Sequence, residues 1–310
     1  TGNTWGGLDG STKPSYCMGY GTVKASKECT DIFLVKFDSS GTKQWVKQLG
    51  GSSKWYDKAQ GVAVDSSDNI YLAGLTNGGL DGNTSSGKHD ILLVKYNSDG
   101  SKQWLQQFGS SSNDMGLHVD VDSKGNIYVT GYNEGGLDGK TNSGERDIFL
   151  VKYNTSGKKQ WTQQLGTPTF EEGNGVAVDY SDNIYVTGWT GGKLETYSGG
   201  NDTILVKYNS SGTKQWTRQF GAPSFLKRDD EYQTSQMTTS ADIGAGVAVD
   251  SSGNIFVTGS TEGGMDGNTN SGKSDIFLVK YNSMWCETIN SSNKNMPLNA
   301  NHITYCDCPH

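Results

Sequence analysis

The side chains best spaced for chemistry lie in Gly-rich loops. Asp266-Gly-Asn268-Thr-Asn270-Ser-Gly-Lys-Ser-Asp275 sets oxygen-bearing residues at positions one, three, five and ten. That spacing approaches calcium loops, in which alternate residues turn inward and a glycine permits the sharp bend. Asp81, Asn83, Ser85 and Asp90 repeat the pattern. In a third copy Lys140 takes position three beside Asp138, Asn142 and Asp147, and a fourth, Leu194–Asp202, loses the pattern. Two readings stand. Either calcium is the one cofactor the sequence suggests, or Asp-Gly and Asn/Ser simply make turns and satisfy loop backbone.

Other groups offer less. One unit carries His118 and Asp120 two residues apart, which alternation sends to one face of a strand. A His/Asp pair can move protons, yet neither a nucleophile nor a third group accompanies it, so a local polar contact is the competing reading. His89, His302 and His310 join no constellation, and nucleophile-elbow, zinc-protease and phosphate-loop motifs are missing from the sequence. Asp31, Asp90, Asp147, Asp202 and Asp275 recur at one position of successive repeats. Carboxylates spread in this way suit a turn or cap role better than a converging acid pair. Lys36, Lys95, Lys152, Lys207 and Lys280 recur likewise and would pair with acids on adjacent strands. Trp45, Trp104, Trp161 and Trp216 also share one position, either as packing between repeats or as a ligand-binding girdle.

All five cysteines, Cys17, Cys29, Cys286, Cys306 and Cys308, stand outside the regular repeats. Disulfides are the reading preferred, Cys17 with Cys29 and Cys286 with Cys306 or Cys308, leaving one thiol free or paired between chains. Cys306 and Cys308 with His302 and His310 make only a loose zinc candidate, because paired knuckles are missing. Asn83, Asn154, Asn201, Asn209 and Asn290 lie in glycosylation sequons, several of which chance alone would supply. Together these features point to an extracellular or cell-surface setting.

The elements that position these residues come from an internal repeat. Asp31-Ile-Phe-Leu-Val-Lys-Phe37 returns at Asp90–Tyr96, Asp147–Tyr153, Asp202–Tyr208 and Asp275–Tyr281, the last delayed by a polar insertion, Ser224–Ile243. Each full unit has four short pieces rich in Val, Ile, Tyr, Phe and Trp, bounded by Gly, Asn, Asp and Ser, which are strand and hairpin signals. Four strands per unit of about 40–60 residues predicts a β-propeller blade. In Ile148–Tyr153 both faces are apolar up to the Lys, which suits a middle strand covered on both sides.

The strings Gly-Gly-Leu-Asp-Gly, Asp-Ile-Phe-Leu-Val-Lys-Tyr-Asn-Ser-x-Gly-x-Lys-Gln-Trp and Gly-Val-Ala-Val-Asp-x-x-Gly-Asn-Ile-Tyr-Val-Thr-Gly resemble the bacterial beta-propeller repeat family (SBBP repeats) over about residues 1–283. The resemblance implies a secreted or cell-surface propeller and brings no catalytic set. By analogy with related propellers, Gly-Val-Ala-Val-Asp is the inner strand and Lys-Gln-Trp begins the outer one.

The expected fold is all-β, a single propeller domain over 1–310 with four-stranded blades. A half blade with an inserted Cys loop occupies 1–50, complete blades occupy 60–109, 116–166 and 174–221, and a fourth repeat occupies 244–283. In the divergent tail 284–310, Met284–Thr288 aligns weakly with an outer strand and Ile303–Asp307 with an inner one. Five blades closed by mixing the termini is the expectation. An open array completed by a neighbouring subunit is the alternative.

Composition excludes several other classes. Gly supplies 43 of the 310 residues, about twice the usual share, but without a three-residue period it is not collagen. Eight Trp, 15 Tyr and 9 Phe are too many anchors for a disordered chain. The longest apolar run lies near Ile91–Val94, far short of the roughly 18 residues of a spanning helix. A formal charge of −7 argues against nucleic acid as a partner. Thr1 is read as the start of a processed or trimmed chain without a signal peptide. The functional expectation is a non-enzymatic extracellular structural or adhesive propeller that partners protein or assembles with itself, as a subunit of a surface filament or other assembly. The alternative is a lectin-like propeller that binds glycans through repeated loops.

Overall fold

The computed structural model describes residues 1–4, 8, 30–50, 57–196, 199–223, 240–265 and 267–282, with backbone alone for 225–229 and 234–238. Two compact units are present, Thr1–Val176 and Ala177–His310. The first contains β1 (Gly2–Thr4), β2 (Asp31–Phe37), β3 (Lys43–Leu49), β4 (Lys58–Val64), β5 (Ile70–Thr76) and β6 (Asp90–Tyr96). It continues through β7 (Lys102–Phe108), β8 (Asp114–Val121), β9 (Ile127–Asn133), β10 (Asp147–Tyr153) and β11 (Lys159–Leu165). These make one three-stranded sheet, β1-β2-β3, and two four-stranded sheets, β4-β5-β6-β7 and β8-β9-β10-β11.

The unit boundary falls inside β12 (Glu171–Val178), the first strand of a further four-stranded sheet with β13 (Ile184–Thr190), β14 (Asp202–Tyr208) and β15 (Lys214–Phe220). The second unit also contains the hairpin of β16 (Phe225–Asp229) and β17 (Thr234–Thr238), and a final sheet of β18 (Asp242–Val249), β19 (Ile255–Thr261) and β20 (Asp275–Tyr281). No helix occurs among the described residues. The architecture is all-β, with five antiparallel sheets of three or four strands, each corresponding to one repeat. The tail 284–310 lies outside the described residues, and ring closure through it with them.

Local chemistry fixes the hairpins. In the turn after β4, Asp65 Oδ1 accepts the amides of Ser67 and Asn69, each at 2.9 Å, while Oδ2 accepts Asn69 Nδ2 and the Tyr71 hydroxyl. Asp122 and Asp179 repeat this set with Tyr128 and Tyr185. An Asp side chain mimicking a backbone turn in this way closes the hairpin and ties it to a buried tyrosine of the next strand. Inner strands start earlier than the motif suggested, at Lys58, Asp114 and Glu171. A bulge explains part of this: register shifts at Ala59/Gly61, Gly116/His118 and Gly244/Gly246 insert one residue.

The third strand of each four-stranded sheet is the core. Ile91, Leu92, Leu93 and Val94 are all buried, as are Ile148, Phe149, Leu150 and Val151. Ile91 and Leu93 pack with Val119, Val129 and Phe149 of the following sheet, whereas Leu92 and Val94 pack with Ile32 and Leu34 of the preceding one. Full burial of each such side chain stabilises by roughly 1.5–3 kcal/mol. The predicted two-faced covering of the middle strand is therefore observed.

The front half blade has three strands, Gly2–Thr4 pairing with Asp31–Phe33, as the match of Thr1-Gly2 to the end of a Val-Thr-Gly strand predicts. The polar insertion folds back on itself, Phe225 opposite Thr238 and Asp229 opposite Thr234.

Candidate functional site

The Gly-rich loops are held by their own side chains. Asp81 is ion-paired with Lys102 of β7, and Asp138 with Lys159 of β11 at 2.9 Å. Asn83 Nδ2 donates to the Leu80 carbonyl at 2.8 Å, and Ser85 Oγ donates to the Gly87 carbonyl at 2.9 Å. In the last repeat Asn268 Nδ2 donates to the Met265 carbonyl, Asn270 Oδ1 accepts the Gly272 amide, and Asp275 accepts the Ser271 amide at 2.7 Å. Asp266 lies outside the described residues. Among the described residues no cluster of three or more His, Cys, Asp or Glu is placed to hold a metal. A calcium ion at Asp81 or Asp138 would have to displace an ammonium group already seated there. Melting that rises with added calcium would support the cation reading, and a flat response would remove it.

The recurring aspartates lock loop to sheet. Asp90 Oδ2 accepts the Ser86 amide at 2.8 Å and Gln107 Nε2 at 2.7 Å; Asp147 Oδ2 accepts the Ser143 amide and Gln164 Nε2, each at 2.9 Å. Gln48 and Gln219 donate likewise to Asp31 and Asp202. The same glutamine Oε1 accepts a loop amide: Leu80 for Gln107 at 3.0 Å, Leu137 for Gln164, Leu194 for Gln219. A loop is thereby pinned to the outer strand of its own sheet.

A second set of acids escaped the motif reading. Asp57, Asp114, Glu171 and Asp242 stand at the start of each inner strand or just before it, and all are buried. Asp114 accepts the Ser110 amide and hydroxyl, Glu171 the Thr167 amide at 2.7 Å and hydroxyl at 2.6 Å, and Asp57 the Thr76 hydroxyl at 2.6 Å. Each acid falls four residues ahead of Gly61, His118, Gly175 or Gly246, a register that extending the repeat alignment upstream would have exposed. A Cβ on Gly109 would lie 2.7 Å from both Asp90 Oδ1 and Asp114 Oδ2, so the two carboxylates crowd one glycine. Gly221 stands in the same relation to Asp202 and Asp242.

This crowding has an electrostatic consequence. Burial pushes the Asp114 carboxyl up to about 6, and the Asp90 carboxylate beside it adds to the rise. Between pH 4 and pH 6 the folded chain therefore binds a proton that the unfolded chain releases. Its contribution to stability falls as pH rises through that window, by on the order of 3 kcal/mol. Asp114→Asn is expected to flatten that part of the profile in denaturant midpoints at pH 4.5 and 7. An unchanged wild-type slope in the variant would refute the assignment.

The remaining candidates resolve into local contacts. His118 Nδ1 accepts the Val176 amide at 3.4 Å, and burial holds its pKa below the ordinary imidazole value. Asp120 accepts its neighbour's amide, from Val121 at 2.8 Å. Trp104, Trp161 and Trp216 are half-buried, with ring centroids 6.1, 6.1 and 6.2 Å from Tyr71, Tyr128 and Tyr185. Lys95, Lys152 and Lys207 lie over those same tyrosines at 5.4, 5.1 and 5.7 Å. Trp45 and Trp104 also touch the turn of the following sheet, at Gly100 and Gly157. Asn154 and Asn209 cap exposed turns, accepting the Lys158 and Thr213 amides, and Asn83 and Asn201 lie in loops. Cys17, Cys29, Cys286, Cys306, Cys308 and Asn290 lie outside the described residues.

Repeated four-stranded sheets, pinned loop to outer strand by an Asp–Gln pair, define a β-propeller repeat protein. The chain belongs to the SBBP beta-propeller repeat family, whose model matches residues 44–81, 103–133, 160–195 and 215–264, half of the sequence. Over 227 residues it is 25% identical to the uncharacterized WD repeat-containing protein L264 of Acanthamoeba polyphaga mimivirus, covering 59% of this chain and 16% of that one. Over 159 residues it is 28% identical to the regulatory protein FlaEY of Caulobacter vibrioides, covering 46% and 17%. The match thus spans about a sixth of either relative's length. The WD40 domain of Neurospora crassa Pan2 aligns with a TM-score of 0.40 and 10% identity over 74% of this chain and 69% of that domain.

Proposed function

We propose that the chain is a non-enzymatic scaffold of propeller blades that works by associating with other protein surfaces, itself included, in an extracellular or cell-surface setting. One observation carries this reading: large apolar side chains on its first and last sheets are uncovered. Ile276 is 88% and Leu278 70% exposed, where the equivalent Ile91 and Leu93 are fully buried. Phe37 is 58% exposed where the equivalent Tyr96 is 4%. Apolar faces of this kind mark interaction surfaces. The candidate acid–base pair favours no catalytic reading, since His118 is engaged by backbone. The tryptophans, packed on tyrosines and turns, favour scaffold over glycan binding. Cysteines outside the repeats, if joined as disulfides, and sequon-bearing polar turns would suit an oxidising exterior.

Sedimentation velocity over a concentration series, with and without reductant, tests the reading. Species larger than the monomer are expected to grow with concentration. A strict monomer at every concentration would overturn it.

A further inference from the structure

The way neighbouring sheets pack within the chain specifies what the two uncovered faces accept. In β2, β6 and β14, positions two and four point toward the following sheet, and in β6 positions three and five point toward the preceding one. Ile32 and Leu34 of β2 pack with Leu72, Leu92 and Val94; Ile91 and Leu93 of β6 pack with Val119, Val129 and Phe149. Within the second unit Leu205 of β14 joins Val257 and Phe277 in the same sense. The rule assigns Ile276 and Leu278 of β20 to a following sheet, and Phe33, Val35 and Phe37 of β2 to a preceding one. Ile276 and Leu278 line an open cavity of about 310 Å³, and Phe33, Val35, Phe37 and Val46 one of about 300 Å³.

Polar contacts carry the same direction. Lys36 Nζ donates to the Ser98 carbonyl at 3.1 Å and Lys95 Nζ to the Thr155 carbonyl at 3.4 Å, each in the first turn of the following sheet's outer hairpin. The corresponding pair for the uncovered faces is Lys280 and Ser39. Gly100 and Gly157, in those turns, lie against the preceding sheet's Trp45 and Trp104, whereas a Cβ on Gly41 meets nothing within 4 Å. The first sheet thus has the groups to follow another sheet, and the last has the groups to precede one.

We propose that the last sheet of one copy receives the first sheet of a second copy, head to tail, seating Ile276 and Leu278 against Phe33, Val35 and Phe37. This inference rests on the association reading and gives it a partner and a polarity. The interface is heterologous, so each added copy leaves a fresh face, and growth continues unless the rotation closes a ring. Apolar contact supplies the attraction, and Lys280 with the Ser39 carbonyl fixes register.

Full-length Ile276→Asp and Phe37→Asp chains test it by sedimentation. Both residues are exposed, so both variants are expected to melt like the parent. Each alone should stay monomeric at concentrations where the parent assembles, with at least a tenfold weaker association. Mixed one to one, they should form a single heterodimer and nothing larger, because each retains one competent face. Assembly of either variant at parental strength, or a mixture that stays monomeric, overturns the head-to-tail contact. If the parent assembles while that happens, association proceeds through another surface and only this inference falls. A parent that never assembles removes both.

Discussion

Asp90→Ala is expected to cost about 2–3 kcal/mol of stability, one of the two larger losses expected of a single substitution. The side chain is fully buried, and one oxygen accepts both the Ser86 amide and Gln107 Nε2. Truncation leaves the Ser86 amide without its acceptor, at about 1–3 kcal/mol, and loosens Gln107, whose Nε2 then keeps only the Gly78 carbonyl at 2.7 Å. Asp90→Asn separates this account from a need for charge. The amide keeps an acceptor for both donors and turns an NH₂ toward the side where Asp90 Oδ1 has no hydrogen-bond partner and Asp114 stands near. Its cost is expected to stay below about 1 kcal/mol. Equal losses for Ala and Asn in urea denaturation would show that the negative charge, not the acceptor geometry, is what the site requires.

Gly131→Ala is the second. A Cβ there would lie 1.9 Å from the Met115 carbonyl oxygen and 3.0 Å from the Phe149 ring. The strand cannot retreat, because β9 is paired along both edges, to β8 and β10. Backbone must shift in the middle of a sheet, an overpacking cost on the order of 3 kcal/mol or more. Gly82→Ala is the control. Its φ is +81° and a Cβ there meets nothing, so only the left-handed backbone resists, at about 1 kcal/mol. Thermal melting should show a drop for Gly131→Ala several times that for Gly82→Ala. Equal drops would mean that β9 yields more easily than its pairing implies.

Much of the fold was legible in the sequence, for a physical reason. A blade strand is short, two-faced and closed by an Asp or Gly turn, so Asp90–Tyr96 and its copies carry their structure in local pattern. The buried acids were harder to see. Asp57, Asp114, Glu171 and Asp242 lie upstream of the apolar run, and what marks Asp114 and Asp242 is a fold-dependent approach to the third-strand aspartates Asp90 and Asp202. The loop spacing that suggested calcium is real, but alternate oxygens serve equally to hold a turn, and Asp81 and Asp138 have taken lysines from their own outer strands. The insertion around Phe225–Asp229 read as polar spacer because its pairing partner, Thr234–Thr238, has no apolar alternation to announce a strand.

Hydroxyl-radical footprinting across a concentration series tests most directly the claim that the uncovered end sheets are where the protein works. Oxidation of Phe37, Ile276 and Leu278 should fall together as concentration rises, while Tyr180, 83% exposed and away from both third-strand faces, holds constant as the internal reference. Oxidation of all four residues that stays the same from dilute to concentrated solution would contradict the account.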